Sequence, residues 1–133
     1  MKHANVFNKN LKHFTMKQFL LLLHEDMANV SLLTAQEMEA LANAHMDWAN
    51  TLAAGGHLVA GDGLQDQAVL ITGKDCVVKD GPYLESKEII GGYYVLKADN
   101  LESVIELAKG CPTHLYGGTT EIRPIMEMED YAQ

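Results

Sequence analysis

His45, in Ala44-His45-Met46, lies on a helical stripe formed by Met38, Leu41, Ala42, His45, Trp48, Ala49 and Leu52. An imidazole there can exchange a proton with a bound molecule near neutral pH, provided another group orients its second ring nitrogen. Asp80, which opens Asp80-Gly81-Pro82-Tyr83, is the candidate orienting group. Each residue also has a purely structural reading. A histidine on an apolar stripe can bond a backbone carbonyl within the core, and Asp before Gly is ordinary turn chemistry.

Around this pair stand further candidates. Glu85, Lys87 and Glu88 form a charge run that is either solvated surface or a polar grip, with Lys87 suited to an anionic ligand. Tyr93 and Tyr94 point to opposite faces of a strand, so one belongs to the core and the other to a dimer face or a pocket. His24 and Glu25 end the first apolar run, where pocket residues often sit and where turn capping is the simpler role. The substrate-binding candidates are therefore Glu85, Lys87, Tyr93 and His24. No metal is expected, because His24, His45 and Asp80 lie on separate elements without local ligand spacing. Arg123, the single arginine, is expected to pair with Glu121. Gly61-Asp62-Gly63 lacks the Lys-Ser/Thr of a phosphate loop, and no serine sits in a nucleophile elbow. No cofactor is expected.

The elements that must position these groups follow from periodicity and punctuation. Residues 16–24 read as a strand apolar on both faces, hence central. Thr34-Ala35-Gln36-Glu37 matches a capping box, and Gly55-Gly56 ends the helix it starts. A short strand at 57–60 runs into a turn at Gly61-Asp62-Gly63. Residues 68–72 and 76–79 form two more strands around Gly73-Lys74-Asp75, and 89–98 a Tyr/Val/Ile-rich one. Gly91-Gly92 within it marks a bulge or a close backbone approach. Asn100 caps a second helix that Gly110 and Pro112 stop. Residues 119–128 complete the set.

This order, β-α-β-(hairpin)-β-α-β, predicts an α+β, ferredoxin-like βαββαβ fold with an extra hairpin. Both helices should cover one sheet face. The other, carrying Leu, Ile, Val, Tyr and Met, calls for a partner, and a two-fold homodimer is the simplest solution.

The 133 residues suit one domain, at 16–128, between a tail at 1–15 and a frayed end at 129–133. With 47% apolar and 21% charged residues the composition is that of a globular protein. A net charge of −8 opposes nucleic-acid binding, which needs a basic face. After Thr15, seven basic residues face eighteen acidic ones, a net of −11. No apolar run reaches the roughly 18 residues that span a membrane. The five residues Phe19–Leu23 are too short for a secretory core. Met16 is a possible natural start. Cys76 and Cys111 have neither metal nor disulfide spacing and fit reduced thiols in a cytoplasmic protein.

Asp80-Gly81-Pro82-Tyr83, Glu85-Ser86-Lys87-Glu88 and Gly91-Gly92-Tyr93-Tyr94 together resemble the DGPF branch of the YCII-related family, with Tyr83 where Phe is usual. The likeness extends to Ala60–Leu64, Ala98–Leu101, Gly110–Pro112 and Glu121–Glu127. It implies a ferredoxin-like fold that dimerises as an α+β barrel. It also implies a cleft in which a helix histidine, matching His45, meets an acidic residue, here assigned to Asp80. The expected function is a small cofactor-free enzyme transferring protons on a small polar molecule. The alternatives are a ligand-binding or regulatory dimer in bacterial signalling or transcription control, or a purely structural dimer.

Overall fold

A computed structural model describes residues 16–81 and 88–132. Strand β1 (Lys17–Asp26) leads through a single turn, α1 (Met27–Val30), to the long helix α2 (Ala35–Ala54). Strand β2 (Leu58–Gly63) follows, then a hairpin of β3 (Val69–Thr72) and β4 (Val77–Asp80). Strand β5 (Glu88–Ala98), helix α3 (Leu101–Ala108), a 3-10 turn at Pro112–Tyr116 and strand β6 (Thr119–Pro124) complete the main body. A last 3-10 turn covers Met128–Ala132.

The helix starts obey local chemistry. Glu37 N donates to Thr34 Oγ1 at 3.1 Å while Thr34 N donates to Glu37 Oε1 at 3.1 Å, the reciprocal capping box. Ser103 N donates to Asn100 Oδ1 at 2.9 Å and so starts α3. Gly56 at φ +79° turns the chain out of α2.

The main sheet is antiparallel in the order β2-β5-β1-β6, compatible with a ferredoxin-like fold, and β3-β4 form a separate two-stranded sheet. Strand β1 is paired on both edges, by β5 and β6, and so is a central strand as its continuous apolar run predicts. The helix-facing side buries Phe19, Leu21, Leu23, Tyr94, Leu96 and Ala98 beneath Leu52, Val104 and Ala108. Each fully buried leucine contributes about 1.5–3 kcal/mol relative to exposure.

Two elements differ from the sequence reading. Gly61-Asp62-Gly63 is not a turn but the second half of β2, paired with Tyr94, Tyr93 and Gly92. Gly61 can stay in the ladder because it lies flat against the Tyr94 ring, where a Cβ would come within 2.5 Å of Cδ1. The last strand stops at Pro124, four residues early, since proline ends the supply of ladder donors. The Gly91-Gly92 expectation holds: the β1–β5 register slips between Leu23 and His24, opposite Gly91.

Candidate functional site

Helix α2 touches the sheet firmly only at its C-terminal end. Leu52 is buried, Trp48 and Ala49 are half-buried, and Ala42 and Met46 are exposed. Where the helix stands off, the sheet beneath it is short of side chains. Gly61, Gly63, Gly91 and Gly92 come together there from β2 and β5. The result is a cleft of two adjoining chambers, about 400 and 410 Å³. Both are walled by Glu25, Ala42, His45, Gly63 and Gly91. The first is completed by Leu23, Met46 and Tyr94, the second by Met27, Val30, Met38, Leu41, Leu64 and Ile89.

His45 hangs from α2 into this cleft. Its Nδ1 lies 2.9 Å from the Tyr94 hydroxyl, and the two rings stack at 20° with centroids 6.1 Å apart. Trp48 meets the same Tyr94 ring edge-on, with centroids 4.9 Å apart. Burial pushes the Tyr94 phenol up to about 12, so it stays protonated. Burial also holds His45 below its ordinary value, so the ring is neutral at pH 7. When Nδ1–H donates to the tyrosine oxygen, Nε2 presents a lone pair; when the phenol donates, Nε2 carries the proton.

Glu25 sits near the end of β1 on the same face. Its Oε1 accepts from the buried Thr113 hydroxyl at 3.3 Å. Burial raises its carboxyl above the usual range, and the Thr113 bond only partly offsets this. The Gly91 bulge gives it room, because a Cβ there would lie 2.7 Å from Glu25 Cγ. One cleft thus holds a histidine biased to be neutral and a carboxyl biased to hold its proton. Such environments mark sites of proton chemistry or ligand contact.

The model of the YCII-related domain family matches residues 18–129. The chain belongs to this family. No curated protein matches it. The matched span takes in the main sheet from Gln18 on, both longer helices and every residue that lines the cleft.

Of the catalytic and substrate-binding candidates that fall among the described residues, the cleft gathers His45 alone. Asp80 ends the exposed β4, paired with Val69 across the hairpin, and lines neither chamber. Among the described residues, His45 has Tyr94 rather than a carboxylate as its hydrogen-bond partner. Tyr93 faces the opposite side of the sheet, where its hydroxyl donates to Asp62 Oδ2 at 3.2 Å. His24 is on that open side too, with Nε2 2.8 Å from Glu121 Oε1. Arg123 NH1 donates to Glu121 Oε2 at 3.4 Å, and these bonds, His24's first, hold the Glu121 carboxyl below its usual range. Glu85 and Lys87 lie outside the described residues.

Glu25 and Tyr94 are named from the sequence but not chosen: His24 and Tyr93 stand as candidates in their place. The signal was strand alternation: from buried Leu23 and Tyr94, a period of two puts Glu25 and Tyr94 on the helix side and His24 and Tyr93 on the other. Among the described residues, no group of three His, Cys, Asp or Glu side chains converges as metal ligands would. Nor is any helix there long and apolar enough to cross a membrane.

Proposed function

We propose that this YCII-related domain is a small enzyme that moves protons on a bound molecule without a cofactor, with His45 as the proton acceptor. The observation that carries the reading is the His45–Tyr94 bond at the wall of an open cleft beside Glu25. A neutral imidazole whose Nδ1 is held by a phenol can take a proton from a carbon or oxygen acid at Nε2. Glu25 then replaces Asp80 as the acidic group of the site, returning or receiving the proton on the substrate's other side.

The finer assignment to the DGPF branch rests on the Asp80–Tyr83 and Gly91–Tyr94 motifs. A homodimer, closed over the open face into an α+β barrel, accounts for Leu20, Leu22, Tyr93, Val95 and Ile90, which the helices leave uncovered. The two separated cysteines, one exposed and one buried, suit a cytoplasmic setting.

One observation favours a second reading, a ligand-binding or regulatory dimer. An imidazolium at His45 gains no carboxylate partner among the described residues, which makes it a weaker base than a His–carboxylate pair. The test is deuterium incorporation from D2O into a panel of small carbonyl and imine compounds, followed by NMR. The enzyme reading expects C–H exchange that falls by about 10²–10⁴-fold in His45→Ala with the fold intact. Exchange unchanged by that substitution overturns it. Saturable binding without exchange, surviving His45→Gln, moves the assignment to the second reading.

A further inference from the structure

The two chambers differ in chemistry, and the difference selects a ligand class. The charged residues lining them among the described residues are carboxylic: Glu25 faces both, Asp62 borders the first and Asp66 the second. No lysine or arginine among the described residues lines either one. The second chamber is otherwise hydrocarbon, with Met27, Val30, Met38 and Leu41 on one wall and Leu64 and Ile89 on the other. Gly63 stands where the chambers meet, and a Cβ built on it would find only Gly91 O, 3.9 Å away.

We infer that the cleft takes a small organic cation bearing an apolar limb, its nitrogen between Glu25 and His45 and its hydrocarbon between α2 and the Leu64–Ile89 wall. An anion would meet Glu25 without any compensating cation from the described walls. A cation instead relieves the half-buried carboxylate, and the hydrocarbon limb displaces water from the second chamber. The inference rests on the proposed reading that this cleft is the working site, and it names a substrate compatible with it. An iminium has an acidic α-carbon: its proton passes to His45 Nε2, the C–H pair becomes the enamine C=C, and the C=N π pair returns to nitrogen.

The test uses n-hexylamine, methylamine, hexanol and hexanoate as probes, titrated into the full chain by calorimetry and NMR. Hexylamine is expected to bind at least about tenfold more tightly than methylamine, through its buried methylenes. It should exceed hexanoate by at least about tenfold through charge. Glu25→Gln should bring hexylamine down to the affinity of hexanol. Gly63→Val, a substitution into open space, should weaken hexylamine and hexanol alike while near-ultraviolet circular dichroism stays native.

Hexanoate binding as tightly as hexylamine overturns the inference, as does failure of hexylamine to bind at millimolar concentration. Hexylamine binding retained in Gly63→Val would mean that the amine sits elsewhere, and also overturns it. Because these readouts need no turnover, the amine preference can stand while deuterium exchange fails, or fall while exchange persists.

Discussion

The two ends of the helix-covered sheet face are built from the same strands and come out oppositely. At one end Phe19, Leu21, Leu96 and Ala98 lie under Leu52, Val104 and Ala108, with Leu21, Leu96, Val104 and Ala98 wholly inaccessible. At the other, Gly61, Gly63, Gly91 and Gly92 leave the sheet bare below a helix that has risen away. The closed end carries the stability. The open end carries His45 and Glu25, two groups whose charged forms burial disfavours. A protein that stays folded with such an end draws on the surplus of the other, the usual trade between stability and a functional cavity.

Leu21→Ala breaks the closed end most sharply. With no accessible surface to begin with, the site loses about 2–5 kcal/mol by denaturant unfolding. A loss no greater than that at an exposed residue would mean that the two ends are not distinct. Tyr94→Phe acts at the junction. It leaves Nδ1 of His45 without its partner and should cost about 1–3 kcal/mol, measured the same way. It should also lower any His45-dependent exchange, whereas an unchanged rate would remove the phenol from the mechanism.

Glu25→Gln sharpens the comparison because its expected sign is opposite. The Glu25 carboxyl is raised above its ordinary 4.5, so its folded-state contribution is complete below that pH and is lost as pH rises through the folded value. At pH 7 the glutamine variant should therefore melt about 1–4 °C higher than the parent, and the gain should vanish near pH 4. His45 works at the other limb. It is lowered from 6.5, so its contribution is complete above that pH and declines as pH falls toward the folded value. The parent should thus lose stability below pH 6.5 faster than His45→Gln. Smallest of all is Gly63→Ala, where the added methyl enters open space and the change should stay within about 0.5 kcal/mol.

Much of the fold was legible beforehand because its signals are local. The Thr34–Glu37 capping box, the Asn100 cap and the glycine pair after α2 act within one turn of chain, and each falls where residue types placed it. The apolar run of β1 was readable as a central strand for the same reason. The Gly61-Asp62-Gly63 segment was misread because two glycines look like a turn until the Tyr94 ring that lies on Gly61 is known. Half the proposed site was legible too: His45 stood out as the one titratable residue on an apolar helical stripe. Its neighbour Glu25 was named at a strand end but not chosen, because an Asp in a turn motif is the more conspicuous acid.

By itself, then, the sequence determined the elements, their caps and the strand alternation that separates Leu23 and Glu25 from His24. Only the tertiary structure decided which groups share a cavity with His45. That choice depends on the β1–β5 register, a bulge at Gly91 and the lift of α2 from the sheet, all set by contacts between distant segments. A one-residue slip in that register would either turn Glu25 out of the cleft or turn Tyr93, not Tyr94, toward His45.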